Sequence, residues 1–386
     1  MLKRILKEQS LAWSQLVYQK VRLMVALSGI CFANVLIFTQ LGFKASLFNG
    51  AMNIPESLEG DLFLIDSKAA FLGNGSIELQ QLYRAEGIFG VAEAKPLYYK
   101  TVSWLNPETK TRISINVLAF NPAKSVFNLP EINQQISLLQ QPDTILFDRK
   151  SLASVGNVAA EIAKGKTYST LVNERKINVG SIFSLGSTAF RRGHIITSDV
   201  NYLRIFGTES INQIQIGIIS IEENSNSQKI IAALQKNLDD GIKVLDRDAL
   251  IALEENYWNS QPAGVVFNFG IVMGFVVGVI IVYQVLYTDI NEHLAEYATL
   301  KAIGYSDRSL LLIVFQEAAI LAVLGFLPGL TVSAGLYLLL GRLTQTALAL
   351  SFDVAGSVFL LTLLMCLLSG AIAARKLRSA DPADVF

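Results

Sequence analysis

The chain has 386 residues, of which 52% are hydrophobic and 17% charged, with 32 basic against 32 acidic side chains. Soluble domains carry about 25% charge, so this composition points to a membrane protein. The even charge balance excludes the basic excess of a nucleic-acid binder, and two cysteines, Cys31 and Cys366, both inside apolar runs, exclude a disulfide framework.

Residues 1–21 carry Leu2, Ile5, Leu6, Trp13, Leu16 and Val17 at helical spacing, with Lys3, Arg4, Lys7 and Lys20 among them. This pattern predicts an amphipathic helix lying at a membrane face. Residues 22–43 are long and apolar enough to cross a bilayer. They exceed the core of a signal peptide and no A-x-A-like site follows, so an uncleaved first transmembrane helix is expected.

Residues 44–261 change character. Turn residues recur, as in Asn49-Gly50, Gly73-Asn74-Gly75, Asn106-Pro107, Asn121-Pro122 and Gly156-Asn157. Between them lie strand patterns. Arg112–Val117 places Ile113, Ile115 and Val117 on one face, and Gln213–Ile218 is expected to do the same with Ile214, Ile216 and Ile218. Asp61–Ile65 and Tyr98–Trp104 are further strands. Helices are predicted from Ser76, as a cap, to Glu86, over Ser227–Leu238, and over Asp246–Tyr257. The expectation is a large α+β domain of two lobes with a core of its own.

Residues 262–288 form the second transmembrane helix, opened by Pro262. Gly270, Gly274 and Gly278 stand four residues apart in it, a spacing that lets another helix approach closely. Residues 289–309 are polar and helix-forming. Residues 310–340 are the third span, expected to kink or end near Pro328, beyond which 330–340 turn along or back into the interface. Residues 354–374 are the fourth span and 375–386 a tail. Four spans put both termini on one side. Lys3, Arg4, Lys7, Lys20 and Arg22 before the first span, and Arg375, Lys376 and Arg378 after the last, place that side in the cytoplasm. The 44–261 domain is then extracytoplasmic, and 289–309 is cytoplasmic.

Gly165-Lys166-Thr167 looks like the end of a phosphate-binding loop, but Ala160 stands where that loop needs glycine, and the segment lies away from cytoplasmic ATP. No ATPase activity of its own is expected. The two histidines, His194 and His293, fall on opposite sides of the membrane, so neither a metal site nor a cofactor is expected. No G-x-S-x-G or H-E-x-x-H motif occurs. Glu317, preceded by Gln316, is an acid set within a span. The expectation is a protonated or hydrogen-bonded group that holds helices together, with a proton or substrate site as the rival. Asn34, Gln40, Asn268 and Gln284 are expected to bond between helices.

Within the polar stretch, helix formers dominate Glu292–Ile303, and Gly304 suits the C-terminal cap. Tyr297, Leu300 and Ile303 are expected to share one face, and Glu292, His293 and Glu296 another. The run Glu296-Tyr297-Ala298-Thr299-Leu300-Lys301-Ala302-Ile303-Gly304, followed by Glu317 and closed by Asp381-Pro382-Ala383 in the tail, resembles the FtsX/MacB-type permeases of ABC transporters. The order of amphipathic start, span, large domain and three spans is similar too. Within that family the likeness is to the cyanobacterial DevC type of exporter permease, which works with a DevA-type ATPase and a DevB-type adaptor. Ala295 stands where many members carry arginine, so no arginine-specific contact is carried over.

The resemblance implies a homodimer in the bacterial inner membrane. An ABC ATPase subunit would dock on the cytoplasmic coupling helix through Glu292, Glu296, Tyr297, Leu300, Lys301, Ala302, Ile303 and Gly304. Its motion would pass to the periplasmic domain, which would act with a periplasmic adaptor (a membrane fusion protein) and a TolC-like outer-membrane duct. The implied cargo is a membrane lipid or glycolipid. The alternative is an FtsX-like mechanotransmitter that regulates a cell-envelope protein and exports nothing.

Overall fold

The computed structural model describes residues 20–186, 192–223, 225–344 and 350–375. The expected helix over 1–21, save its last two residues, and the Asp381-Pro382-Ala383 tail lie outside them. The chain divides into two compact units, Met1–Ala45 with Pro262–Phe386, and Ser46–Gln261. Helix α1 spans Lys20–Ser57 and runs straight through Asn49-Gly50, where a turn was expected. The reason is packing. Phe48, Ala51 and Met52 recur at helical spacing and are buried together with Trp258, so tertiary burial overrides the local turn signal.

The Ser46–Gln261 unit is built on one mixed sheet. Its strands are β1 (Leu62–Asp66), β2 (Ile77–Glu78), β3 (Val91–Leu105), β4 (Arg112–Phe120), β5 (Thr144–Asp148), β6 (Tyr168–Val172), β7 (Arg175–Phe183), β8 (His194–Ser198), β9 (Gln213–Ile214), β10 (Ile216–Ile221) and β11 (Ile242–Asp246). The helices are α2 (Leu79–Glu86), α3 (Pro130–Asn133), α4 (Val158–Ala163), α5 (Asp199–Phe206), α6 (Ser227–Asn237) and α7 (Arg247–Ser260). The main sheet runs β11-β1-β10-β3-β4-β8-β5-β7-β6, with β2 and β9 paired apart from it. β4 lies parallel to β8, and β5 to β7. The first half of β3 pairs with β10 and the second with β4, so one strand serves both halves and the expected two lobes are a single unit. Trp104 of β3 also pairs with Val172 of β6, which closes the second half on itself.

Strand alternation sends side chains to two cores. Leu62 and Leu64 of β1 join one, with Trp104, Ile113, Ile115 and Val117. Phe63 and Ile65 join the other, with Tyr99, Leu118 and Phe120. Two local expectations are corrected. Gln215 interrupts the Gln213–Ile218 run, its side-chain oxygen accepting from the Tyr99 N–H at 2.9 Å. Ile214 therefore enters one core while Ile216 and Ile218 enter the other. Ser76 caps nothing; its hydroxyl donates to Gln213 Oε1 at 2.7 Å, and α2 starts from Glu78 with no side-chain cap. The Lys166 ammonium pairs with Glu161 at 2.6 Å and Gly165 takes a φ of +76°, which gives this segment a structural role in the turn after α4.

The other unit holds α8 (Pro262–Glu292), α9 (Leu294–Ala302), α10 (Asp307–Thr344) and α11 (Phe352–Ala373), with the first part of α1. Among the described residues four helices are long and apolar enough to cross a membrane, Lys20–Ser46, Pro262–Glu292, Arg308–Gly341 and Phe352–Ala373. α10 continues through Pro328, so residues 330–340 extend the span and do not turn along the interface. Pro328 leaves the Leu324 carbonyl without its helical donor. Beside that gap Asn34 of α1 donates to the Gly325 carbonyl at 3.4 Å, the kind of neighbouring-helix support that lets proline persist in a span.

Candidate functional site

The polar stretch is two elements. α8 runs on to Glu292, His293 breaks it, and α9 covers Leu294–Ala302. The expected single helix from Glu292 is thus corrected, and Glu292 belongs to the end of a span. α9 stops by a Schellman motif. The Gly304 N–H donates to the Lys301 carbonyl at 2.9 Å and the Tyr305 N–H to the Leu300 carbonyl at 3.0 Å. Gly304 has a φ of +103°, the left-handed region that glycine enters at least cost.

One side of α9 is anchored. Tyr297 is fully buried in a cluster with Ile290, Leu310, Val314 and Ala318, and Leu294, Leu300 and Tyr305 pack against it; Ala298 is fully buried beside it in sequence. The opposite side is open, with Ala295, Glu296, Thr299, Ala302 and Gly304 exposed and Ile303 72% exposed. Ile303 was expected to share the Tyr297 face. It lies six residues on, about 120° round the helix from Tyr297, and points outward. Lys301 is half-buried. On the approach to α9, His293 Nδ1 lies 3.1 Å from Glu296 Oε1.

Arg22 of α1 reaches the end of α8, pairing with Asp289 at 3.3 Å and with Glu292. This tie was missed in the sequence, where Arg22 counted only toward topology. Its signal was available: an arginine opening one span and two acids closing the next fall on the same membrane face. Glu317 of α10 is fully buried, and neither carboxylate oxygen has a hydrogen-bond partner among the described residues. Of the two forms expected for it, the hydrogen-bonded one is not seen among the described residues. The Tyr297 hydroxyl is likewise buried without a partner. Burial first, then the charges of Glu317, Asp289 and Glu296, pushes the Tyr297 phenol far above its ordinary value, so it stays neutral.

The glycine stripe of α8 packs within the same chain. A Cβ on Gly270 would fall 2.4 Å from Gln40, one on Gly274 2.9 Å from Ile37, and one on Gly278 2.4 Å from Met365 and 3.1 Å from Ala33. The stripe therefore seats α1 and, through Met365, α11. Asn34 adds a polar node between spans, its Oδ1 accepting from Thr362 at 2.6 Å. Asn268 accepts from Lys44 at 3.0 Å. Among the described residues no group of three or more His, Cys, Asp or Glu could hold a metal.

Residues 268–382 match the FtsX-like permease C-terminal family, a stretch that contains α9, Glu317 and the glycine stripe. The chain carries an FtsX-like permease domain. It is also similar over 383 residues, at 24% identity and 96% of both lengths, to an uncharacterized ABC transporter permease of Mycobacterium bovis and to one of Mycobacterium tuberculosis. Among solved structures it is similar to the periplasmic region of MacB from Actinobacillus actinomycetemcomitans, with TM-score 0.34 and 10% identity over 53% of this chain and 96% of that one. The extracellular domain of the noncanonic ABC-type transporter YknZ from Gram-positive bacteria matches with TM-score 0.31 and 14% identity over 48% of this chain and 99% of that one. The family match thus covers the C-terminal third of the chain, and the likeness to proteins named ABC transporter permeases runs over nearly its whole length.

Proposed function

We propose that this permease couples a separate ABC ATPase to export, with the ATPase docked on the open side of α9. One observation carries the reading: α9 is held on its Tyr297 side by a fully buried cluster and presents Glu296, Thr299, Ala302 and Ile303 on the other. A helix fixed along one face and free along the other passes a push on to what it is fixed to. Here that is α10, through Leu310, Val314 and Ala318, and α8, through Ile290. The face lies in the cytoplasm and both termini lie on its side, as the basic residues at the two ends of the chain indicate. Two copies assemble, and the Ser46–Gln261 unit works outside the membrane with an adaptor and an outer-membrane duct on a lipid or glycolipid cargo.

The test is ATPase activity of the reconstituted complex with Glu296→Ala and Ile303→Ala. Both side chains are exposed, so both variants insert and fold, and stimulation of the ATPase falls. Normal stimulation in both removes the docking face. A reporter fused within residues 46–261 that reads cytoplasmic overturns the topology. Loss of a cell-envelope activity in the same variants, with export unchanged, favours the mechanotransmitter reading.

A further inference from the structure

We propose that the Ser46–Gln261 unit carries a binding site for one neutral saccharide ring, on the open side of β3 and β4. The inference goes beyond the coupling role and stands whether or not ATP drives the protein. A cavity of about 270 Å³ is lined by Phe71, Gly73, Tyr99, Thr101, Asn116 and Trp258. Cavities for drug-sized ligands run to about 300–1,000 Å³, so this one suits a single ring.

Its aromatic wall is fixed in advance. Glu254 is fully buried, and its carboxylate accepts from the Trp258 indole N–H at 2.8 Å and from the Leu72 backbone N–H. One acid thereby sets both the indole and the loop carrying Phe71 and Gly73. Phe71 packs on Tyr257 with ring centroids 4.4 Å apart. Gly73, at a φ of +85°, lies against the Tyr99 ring so closely that a Cβ would come within 2.3 Å. Rings held this way lose little freedom when a ligand arrives.

The polar edge is uncharged. Thr101 and Asn116 face each other across the β3–β4 ladder, and the Thr101 hydroxyl donates to Asn116 Oδ1 at 3.2 Å. This orients the amide and leaves its Nδ2 donors without a partner among the described residues. Lys100 borders the cavity, but its ammonium sits 6.0 Å from the Tyr202 ring centroid and 5.4 Å from that of Phe206. Those rings pack on the opposite face of the sheet from Tyr99. Among the described residues no cation turns inward, so a phosphate or carboxylate finds no counter-charge from them. Fixed aromatic faces beside a hydroxyl and an amide fit a ligand with one C–H face and a hydroxyl edge. A pyranose ring has that form; an acyl chain has no use for the polar edge.

The experiment uses the full-length protein in nanodiscs prepared without glycosidic detergent. Methyl glucoside, methyl galactoside and N-acetylglucosamine are titrated, with glycerol as the control, and tryptophan fluorescence is followed. At least one sugar should give a saturable change that glycerol does not. Thr101→Val and Asn116→Leu should each weaken it by about 3–10-fold, the loss of a single hydrogen bond. Thr101 is exposed, so its variant keeps the fold even if the other does not. Absence of saturation for all three sugars, or binding equal to wild type in the Thr101 variant, overturns the site. Adding a hexosyl-diacylglycerol to the nanodisc distinguishes the source: competition with the free sugar identifies a lipid headgroup, and no competition identifies a soluble saccharide.

Discussion

Gly304 allows the end of α9, the proposed docking helix, to be tested with a calculable perturbation. A Cβ at this position meets nothing within 4 Å, so substitution brings no steric conflict. The cost is conformational alone: a non-glycine residue at a φ of +103° pays about 1–2 kcal/mol. If the motif opens in response, two hydrogen bonds of 2.9 and 3.0 Å are lost with it. Gly304→Ala should therefore raise local opening by about 5–30-fold, read as faster hydrogen exchange at the amides of Gly304 and Tyr305. Gly304→Asn should be milder, because asparagine tolerates the left-handed region, and Gly304→Val worse. Gly335 gives the matched control. It also has open space around it but lies inside α10 without a positive φ, so Gly335→Ala should be neutral or slightly stabilising. Equal exchange in wild type, Gly304→Ala and Gly304→Val would refute the reasoning, since space cannot account for it and only the backbone argument remains.

Three further outcomes are expected. Arg22→Ala strips the nearer partner from Asp289, whose side chain is only 8% exposed, and should lower the thermal midpoint of the solubilised protein, while adding Asp289→Asn recovers part of the loss in a double-mutant cycle. Gly278→Leu drives a side chain into Met365 and Ala33 and should cost about 1–3 kcal/mol or more, measured by thermal unfolding against a Gly356→Leu control, where there is open space. Asp143 is held below the usual carboxylate range mainly by the Arg175 hydrogen bond, against an opposing effect of burial and with help from Arg204. Its folded value is depressed, so its contribution is present above about pH 4 and is lost as pH falls through the folded value. Asp143→Asn should flatten that acid limb in a melting series from about pH 6 to about pH 3.

Much of the architecture was legible because its signals are strong. Long apolar runs have few alternatives, and Ile113, Ile115 and Val117 alternate cleanly on β4 into one core. The Gly304 cap was readable because few residues suit a left-handed position. What was lost depends on partners distant in the chain. Asn49-Gly50 reads as a turn until Trp258 is known to bury the residues around it. Gln215 splits a regular alternation because Tyr99, more than a hundred residues earlier, takes its side chain. At the proposed docking site the presence of a helix was legible, but not which side faces inward. Short helices give few apolar positions, and Leu294, Leu300 and Ile303 compete for the stripe until the Tyr297 cluster fixes the rotation.

Glu317 is the residue whose stability and use should separate most clearly. A buried polar group without a hydrogen bond costs about 1–3 kcal/mol, and Glu317 leaves both of its oxygens in that condition, with the equally unpartnered Tyr297 hydroxyl in the same cluster of helices. Replacing such a group by a hydrophobic residue of similar volume is often neutral or stabilising. Glu317→Leu should thus hold or raise the melting temperature of the solubilised protein. A group that costs stability in this arrangement is explained if it gains partners in another, reached when α9 shifts against α10. The same substitution should then reduce ATPase stimulation, and Tyr297→Phe, which removes only a hydroxyl without a partner, should leave the melting temperature unchanged. A clear fall in melting temperature for Glu317→Leu would mean that the carboxyl is satisfied in the resting protein, and the case for a second arrangement would go with it.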